Sequence, residues 1–247
     1  MNGQDRLNGQ DPSVTEAAPG RFLVLEGIDG CGKTSQLEAI AAWLPGSGLM
    51  PPGARLLRTR EPGGTSLGRA LRELLLHPPE EAAPCSDAEL LLYAADRAQH
   101  VATVIRPALQ AGHWVLSDRF SGSTAAYQGH GRGLPLERIE ALERLATGGL
   151  RADLTLWLDL PLAESLRRRG GRPADRIEAE GLAFLQRVAD GFAALAAERE
   201  WRRIAADADL AVVGERCRQA IRERFAVSPD PGAAGGSGPQ AEHGGGG

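Results

Sequence analysis

Short apolar runs alternate with longer segments of helical periodicity along residues 21–226. Short apolar runs are typical of buried strands, whereas apolar residues recurring every three to four positions are typical of helices. The runs predict strands at Phe22–Glu26, Arg55–Thr59, Trp114–Ser117, Leu154–Asp159 and Trp201–Ala205. The longer segments predict helices at Thr34–Trp43, Leu67–Leu76, Asp87–Leu109 with an interruption near Pro107, Leu136–Ala146, Leu162–Arg169 and Glu180–Glu200.

This alternation is typical of an α/β fold. Strands that alternate with helices form a parallel sheet covered by helices on both faces. In such sheets, ligands bind at the carboxyl ends of the strands. We therefore expect the functional residues in the segments that directly follow strands.

The two ends of the chain differ from the middle in composition. Residues 1–20 are polar and without periodicity, and residues 228–247 consist mostly of Gly, Pro, Ala and Ser. Neither segment has enough apolar surface to offset the entropy of ordering it. We therefore expect a disordered N-terminal extension over 1–20 and a disordered tail over 227–247. The folded domain is expected over 21–226, which is long enough to bury a sizeable core.

Charge and cysteine content narrow the class of protein. The 247 residues carry a formal net charge of −4, with −2 in the first twenty residues and −2 in the last twenty-one. The folded domain is therefore neutral, which argues against nucleic acid as a partner. No apolar run is long enough to span a membrane, and the N-terminus lacks a signal-peptide pattern. Cys31, Cys85 and Cys217 give neither a disulfide framework nor metal-ligand spacing, so a cytoplasmic location is expected.

The segment Gly27–Thr34 carries the most specific functional pattern. It fits G-x-x-x-x-G-K-[ST] between a predicted strand and a predicted helix, which is the context of a phosphate-binding P-loop. We expect the loop amides to wrap the phosphates of ATP, Lys33 to reach the β/γ oxygens and Thr34 to bind Mg²⁺. A glycine-rich turn with a chance Gly-Lys-Thr is the alternative. The ATP-binding residues predicted here are Gly27, Ile28, Asp29, Gly30, Cys31, Gly32, Lys33 and Thr34.

Asp118 is a second candidate magnesium ligand. It follows the predicted strand Trp114–Ser117, and an acid at a strand end beside a P-loop can hold Mg²⁺ through water. A plain turn or helix-cap role explains an Asp at this position equally well.

The lysine content narrows the class of nucleotide-binding protein. Lys33 is the single lysine, so 27 of the 28 basic residues are arginine. The guanine-reading motif Asn-Lys-x-Asp needs a second lysine. The sequence therefore excludes a standard GTPase.

Three further segments indicate a second substrate. Residues 59–65 read Thr-Arg-Glu-Pro-Gly-Gly-Thr after the second strand, and residues 118–128 follow the third. Between them, Tyr93 and Arg97 are spaced i, i+4 and share one helical face. An aromatic ring beside a guanidinium suits a planar base that carries carbonyl acceptors. A cation–aromatic pair on a helix surface is the alternative reading of these two residues.

Together these segments resemble the bacterial thymidylate kinases. The resemblance covers about residues 21–210 and rests on GxDGxGKT, TREPGGT, an aromatic-A-A-x-R helix, DR[YF]xxSxxAYQ and a late DRIE. It implies the fold of P-loop NTPases, a three-layer α/β sandwich in which a five-stranded parallel sheet has helices on both faces. It also implies transfer of the γ-phosphoryl group of ATP to dTMP with Mg²⁺, and commonly a homodimer.

The resemblance also implies roles for individual residues. Asp29 matches the P-loop acid near the acceptor's sugar and phosphate, and Arg119 matches the arginine that grips the acceptor phosphate and reaches toward the γ-phosphate. Tyr93 stands where the family stacks a phenylalanine on thymine, Arg97 where it hydrogen-bonds a base carbonyl, and Tyr127 where it occludes a ribose 2′-hydroxyl. The remaining substrate-binding residues implied are Arg60, Glu61, Arg72, Thr124 and Gln128.

The arginine-rich segment at about 167–178 resembles the family's flexible lid. The variable P-loop positions contain no arginine, which in this family pairs with a catalytic arginine supplied by the lid. A guanidinium there neutralises charge on the transferred group. Arg169 and Arg172 are the leading candidates for this arginine, whereas Arg176 is assigned instead to the structural Asp-Arg-Ile-Glu element. A solvated charged turn is the competing interpretation of the whole segment.

The reaction expected is in-line phosphoryl transfer, with Lys33, Arg119 and a lid arginine as catalytic residues. A phosphate oxygen of dTMP is already anionic, so positioning and charge neutralisation suffice without a strong general base. Two alternatives stay open at this point. One is another deoxynucleotide or nucleoside kinase, and the other is a P-loop scaffold that binds nucleotide without turnover.

Overall fold

The computed structural model describes residues 19–170 and 175–226. Within them, five strands form one parallel sheet in the order β2-β3-β1-β4-β5, which confirms the α/β class and the five-stranded sheet. The strands are β1 Phe22–Glu26, β2 Leu56–Arg60, β3 Trp114–Asp118, β4 Leu154–Asp159 and β5 Arg202–Ala205. Residues 1–18 and 227–247, for which disorder was predicted, lie outside the described residues.

Helices cover both faces of this sheet. They are α1 Lys33–Trp43, α2 Ser66–Leu76, α3 Ser86–His100, α4 Arg106–Gln110, α5 Ser121–Thr124, α6 Leu136–Thr147, α7 Leu162–Arg169, α8 Leu182–Glu198 and α9 Leu210–Phe225. Two π-helical segments, Val101–Ile105 and Ala125–Gly131, continue α3 and α5. No helix in the described part of the chain is long and apolar enough to cross a bilayer.

The central strand β1 is buried along its whole length, which explains the apolar run Phe22–Leu25 ahead of its last residue, Glu26. Successive side chains of a strand point to opposite faces of the sheet. Leu23 and Leu25 accordingly join the larger apolar cluster, while Phe22 and Val24 join a smaller cluster on the other face. Asp118 pairs in register with Leu25 of β1 and with Arg60 of β2. The carboxyl ends of these three strands therefore meet at one edge.

Most element boundaries agree with the sequence prediction, and the differences have local causes. The predicted ends of β1, β4 and α7 are confirmed, whereas β2 begins and ends one residue later than predicted. The long helix is interrupted at Val101–Ile105, one turn before the predicted site at Pro107. Because proline has no N–H and its ring crowds the preceding turn, the helix widens ahead of it.

The helix α9 was missed by the sequence prediction. Its buried positions include Val213, Cys217 and Ala220, which recur every three to four residues and pack against α1. Small residues such as Cys and Ala make a weak apolar pattern between the charged residues of this segment. The contact with α1 therefore became visible only in the folded chain.

Candidate active site

The loop between β1 and α1 needs its glycines for backbone conformation and for space. Gly27, Gly30 and Gly32 have φ angles of 142°, 80° and 97°. A Cβ on Gly27 would lie 2.7 Å from the Leu158 carbonyl oxygen, and one on Gly30 would lie 2.9 Å from the Ser165 carbonyl oxygen. Glycine alone suits these positions, because other residues rarely adopt a positive φ and a Cβ would meet the neighbouring backbone.

Lys33 places its ammonium group inside this loop. Its Nζ donates to the carbonyl oxygens of Gly27 and Ile28, both at 3.0 Å, and lies 3.9 Å from Asp29 Oδ1. The side chain is buried. A compact point charge of this kind fits where the wider, planar guanidinium of arginine would not.

Thr34 and Asp118 form an oxygen-rich pair beside the loop. Thr34 Oγ1 lies 3.3 Å from Asp118 Oδ2, and the buried Asp118 Oδ1 has no hydrogen-bond partner among the described residues. A hydroxyl and a carboxylate with spare acceptor capacity are the kind of ligands that Mg²⁺ takes, together with water and phosphate oxygens. Among the described residues there is no cluster of three or more His, Cys, Asp or Glu that could form an all-protein metal site.

Arg119 is held at the end of β3 in a left-handed conformation, with φ at 72°, which non-glycine residues rarely adopt. Its guanidinium donates to Asp29 Oδ1 at 2.5 Å, to Ser123 Oγ at 2.8 Å and to the Gly27 carbonyl at 3.1 Å. It also donates to the hydroxyl of Tyr127, which in turn donates to Asp29 Oδ2 at 2.7 Å. The arginine thus connects the P-loop to the segment that follows β3.

The charge on Asp29 follows from these contacts. Desolvation alone would raise the pKa of its carboxyl, but Arg119 and Lys33 more than offset it and hold that pKa well below its usual range. Asp29 is therefore ionised at any working pH and helps to orient Arg119. The thiol of Cys31 behaves differently, because burial raises its pKa, which supports an inert packing role for this residue.

Glu26 is a buried residue that the sequence analysis did not select. Its carboxylate accepts hydrogen bonds from the backbone amides of Phe120 and Ser123 at 3.0 and 3.1 Å, and from Ser123 Oγ at 2.6 Å. Burial raises its pKa. An acid at the end of the central strand was a usable signal, but its partners lie more than 90 residues away along the chain.

Two connected cavities open at the carboxyl edge of the sheet. The larger, which we call the P-loop cleft, has a volume of about 1240 Å³ and includes Asp29–Gln36, Arg60 and the end of α7. The smaller, which we call the acceptor cavity, has a volume of about 90 Å³. It is lined by every predicted substrate residue except Arg60, namely Asp29, Glu61, Arg72, Tyr93, Arg97, Arg119, Thr124, Tyr127 and Gln128.

Arg97 is buried, with 2% of its surface exposed. Its Nε donates to Glu61 Oε2 at 2.8 Å, and its Nη2 donates to the Phe120 carbonyl at 3.1 Å and to Thr124 Oγ1 at 3.0 Å. The alternative of a cation–aromatic pair on a helix surface is therefore wrong for this residue. Tyr93 lines the same cavity one helical turn earlier, and burial raises the pKa of its hydroxyl well above its usual range.

Glu89 organises the far wall of the acceptor cavity, and the sequence analysis missed it. It is fully buried and accepts hydrogen bonds from Gln128 Nε2 at 2.8 Å, from Arg132 Nε at 2.6 Å and from Arg176 Nη2. A signal existed, because Glu89 precedes Tyr93 by four residues and therefore shares its face of α3.

The predicted lid arginines that the structure describes have different surroundings. A Cβ on Gly30 would lie 3.1 Å from Arg169 Cγ, so Arg169 at the end of α7 passes directly over the P-loop. Ser165 Oγ donates to the Asp29 carbonyl at 2.5 Å and fastens α7 to that loop. Arg176 instead bonds Glu89 and the Leu75 carbonyl, as expected for a structural element. Arg172 lies outside the described residues.

This P-loop, on a five-stranded parallel sheet and beside a cleft of about 1240 Å³, defines the class of P-loop nucleotide-binding proteins. The family model described as "Thymidylate kinase" matches residues 25–216. A relative named "Thymidylate kinase" from Synechococcus sp. (strain WH7803) is 69% identical over 82% of this chain and 93% of its own length. One of the same name from Parasynechococcus marenigrum (strain WH8102) is 64% identical over 83% of this chain and 99% of its own. The chain belongs to the thymidylate kinase family.

Proposed function

We propose that the protein transfers the γ-phosphoryl group of ATP to dTMP, giving ADP and dTDP in the synthesis of dTTP. One observation carries this proposal at the level of the site. The P-loop cleft and the acceptor cavity share Asp29, Glu61, Arg72 and Arg119. The phosphates of the donor and of the acceptor are therefore brought together at these residues.

The acceptor cavity has the chemistry that a thymine nucleotide requires. The ring of Tyr93 offers a face for stacking the base, and Arg97 offers donors to a base carbonyl, with Thr124 and Gln128 beside it. Arg72 reaches both cavities and donates from Nη1 to the Pro62 carbonyl at 3.1 Å, which suits a contact to the acceptor phosphate. Arg60 is exposed and is the one predicted substrate residue that lines the P-loop cleft without also lining the acceptor cavity.

Tyr127 and Asp29 fit the proposed selection for deoxyribose. The Tyr127 hydroxyl is fixed between Asp29 and Arg119, so its ring forms a rigid wall of the acceptor cavity. A rigid wall beside the sugar excludes an added 2′-hydroxyl by contact. In this proposal Tyr127 and Asp29 contact the sugar and phosphate side of the acceptor.

Catalysis would consist of positioning and charge neutralisation. Lys33 holds a positive charge within the P-loop, Arg119 holds another between the two cavities, and Arg169 approaches from α7. Arg172 remains the other lid candidate. Thr34 and Asp118 would hold Mg²⁺, which when bound supplies further charge neutralisation on the phosphate oxygens.

A homodimer is also part of this proposal. Leu67 and Leu74 on α2, Leu91 on α3 and Leu145 on α6 are exposed, and these three helices pack side by side. Exposed large apolar side chains on neighbouring helices are a feature of protein interfaces, and they support this part of the proposal. Light scattering should give twice the chain mass of 26.1 kDa, and the mass of a single chain would contradict this part. A cytoplasmic location stays an expectation from the cysteine content.

The proposed activity is tested by measuring ADP release with ATP and Mg²⁺ across dTMP, dUMP, dCMP, dAMP and thymidine. We expect the largest kcat/KM with dTMP and loss of turnover when the metal is chelated. Preference for dCMP, dAMP or thymidine would favour another deoxynucleotide or nucleoside kinase. Tight ATP binding without turnover on any acceptor would favour a nucleotide-binding scaffold.

A further inference from the structure

A series of hydrogen-bonded side chains runs from the partly buried Thr59 on strand β2 to the acceptor cavity. Thr59 Oγ1 lies 2.6 Å from His100 Nε2, and His100 Nδ1 lies 2.9 Å from Glu61 Oε1. The other oxygen of Glu61, Oε2, accepts from Arg97 Nε at 2.8 Å. His100 is fully buried and, among the described residues, is part of the lining of neither the P-loop cleft nor the acceptor cavity. It therefore acts only through its neighbours.

The chemistry of these groups determines which atom donates and which accepts in the hydrogen bond between His100 and Glu61. An ionised carboxylate only accepts, so His100 donates from Nδ1 to Glu61. Each oxygen of Glu61 then has its own donor, His100 on one side and Arg97 on the other. A carboxylate held at both oxygens cannot rotate without breaking a buried hydrogen bond.

The guanidinium of Arg97 is in turn held along one edge. Its Nε bonds Glu61, and its Nη2 bonds the Phe120 carbonyl and Thr124 Oγ1. Within the described part of the chain, Nη1 of Arg97 donates no hydrogen bond. Because the guanidinium is planar and rigid, fixing Nε and Nη2 also fixes the direction of the Nη1 donors.

We infer that His100 is a positioning residue for base selection, because it holds Glu61 and thereby fixes Arg97 as a rigid donor toward the acceptor cavity. This inference rests on the proposed function, since it names how that acceptor site distinguishes thymine from cytosine. A thymine or uracil base can present a carbonyl oxygen to Nη1. Cytosine presents an amino group at the corresponding edge, so donors face donors. A fixed guanidinium cannot turn away from that mismatch, whereas a loosely held one can.

His100 also supports the loop that carries Glu61. A Cβ on Gly64 would lie 2.5 Å from His100 Nε2 and 2.8 Å from Thr59 Oγ1, so the Pro-Gly-Gly turn rests on the imidazole ring. Support of the loop alone is therefore the competing explanation for a buried histidine here. The two explanations differ in which ring nitrogen matters, because only Nδ1 bonds Glu61.

The matched variants are His100→Asn and His100→Gln. The amide nitrogen of asparagine can occupy the position of Nδ1, whereas that of glutamine reaches toward the position of Nε2. The dissociation constants of dTMP and dCMP would be measured by calorimetry, with kcat/KM for both acceptors and the thermal midpoint of unfolding. We expect His100→Asn to keep the ratio of the two dissociation constants within about threefold of the unmodified chain, and His100→Gln to reduce it at least about tenfold.

Two further variants keep the test decisive. Thr59→Val removes only the contact to Nε2, and we expect it to keep the selectivity. Glu61→Gln places an amide against either His100 Nδ1 or Arg97 Nε, so it should lose selectivity in the same way as His100→Gln, including in the event that His100→Gln does not fold. In both selectivity-losing variants we expect KM for dTMP to rise more than kcat falls.

Two results would overturn the inference. One is an unchanged ratio in His100→Gln or Glu61→Gln while dTMP and dCMP weaken equally, which indicates support of the loop alone. The other is an equal loss of selectivity in Thr59→Val and His100→Asn, which assigns the effect to the loop rather than to Nδ1. Failure of the proposed function would look different, because the unmodified chain itself would then show no preference for dTMP over dCMP.

Discussion

The P-loop cleft and the acceptor cavity are built by different means. The cleft depends on consecutive residues, Gly27–Thr34, whose backbone conformation and one lysine supply most of its chemistry. The acceptor cavity depends on side chains from separate elements, including α2, α3 and the segment after β3. A site made from one continuous loop is therefore specified by local sequence, whereas a site made from scattered side chains depends on the contacts that hold each of them.

Three buried carboxylates hold the acceptor side in place. Glu26 fixes the start of α5, Glu61 fixes Arg97, and Glu89 fixes Gln128 together with two arginines. Removing an ion from water is unfavourable unless its remaining lone pairs and protons are satisfied. The several hydrogen bonds on each carboxylate meet this condition. The acceptor side should therefore be sensitive to single charge deletions far from the reacting atoms.

The largest effect on turnover is expected from replacing Lys33, the one lysine of the P-loop cleft. Lys33→Met removes the charge inside the P-loop while keeping most of the side-chain volume. We expect kcat for ADP release to fall by at least ~10²–10³-fold, because a preorganised charge at the transferred phosphoryl group is lost. The thermal midpoint serves as the control for folding. Turnover close to that of the unmodified chain would contradict the assignment of Lys33.

The second largest effect is expected from replacing Glu89, which holds the wall of the acceptor cavity. Glu89→Gln removes the buried carboxylate that Arg132 and Arg176 share, although Arg132 keeps its contact with Glu180 at 2.8 Å. We therefore expect a loss of about 3 kcal/mol in the free energy of unfolding, the lower end for breaking a buried ion pair. KM for dTMP should rise, while the dissociation constant of ADP should change little. Urea denaturation and steady-state kinetics would measure these quantities.

A matched control for Glu89 exists on the surface. Glu38 pairs with Arg58 at 2.5 Å, and both side chains are more than half exposed at 60% and 53%. Glu38→Gln should change the free energy of unfolding by no more than about 1 kcal/mol, because water screens the pair. Equal losses in the two variants would show that burial of the carboxylate is not what matters.

A pH-dependent effect is expected at Asp96, which lies beneath the Pro-Gly-Gly turn and accepts from the Gly63 amide at 3.1 Å. Burial is the main cause that raises the pKa of Asp96 from 3.8 to about 6, and repulsion from Glu61 adds to it. The positive charges of His100 and Arg97 oppose this rise in pKa. The folded state thus binds more protons than the unfolded state between these values. Its contribution to stability is present below about pH 4 and is lost as pH rises toward 6.

Asp96→Asn should remove the fall in stability between pH 4 and pH 6. The amide oxygen of asparagine keeps the contact with the Gly63 amide but carries no charge. Relative to the unmodified chain, the variant should gain up to roughly 3 kcal/mol in the free energy of unfolding between pH 4 and pH 7. Denaturation at both pH values would measure the gain. A difference between the two proteins that is the same at pH 4 and pH 7 would contradict the assignment to Asp96.

The smallest effect is expected at Tyr93. Tyr93→Phe keeps the ring that lines the acceptor cavity, and burial already keeps the hydroxyl uncharged. We expect KM for dTMP to stay within about threefold, because stacking area rather than the hydroxyl provides the contact. A rise above tenfold would show that the hydroxyl binds the acceptor directly.

The comparison also explains how much of the molecule the sequence predicted. The bounds of the buried strand β1 and the position of the glycine loop after it were predicted from the sequence, because each depends on a short continuous pattern. Tyr93 and Arg97 were predicted to share one face, because helical spacing is local. The hydrogen bonds that Glu61 and Glu89 accept from other side chains were not predicted. Their donors lie 36 to 87 residues away from them along the sequence. The helix α9 was missed because its buried positions include small residues.

The most direct test of the account is a paired binding measurement on its two sides. Calorimetry would give the dissociation constants of ADP with Mg²⁺ and of dTMP for Lys33→Met and for Arg97→Lys. We expect Lys33→Met to weaken ADP and leave dTMP within about threefold, and Arg97→Lys to weaken dTMP at least about tenfold and leave ADP unchanged, because lysine cannot replace the rigid fork. Equal weakening of both ligands by either variant would contradict two separately built sites that meet at Asp29 and Arg119.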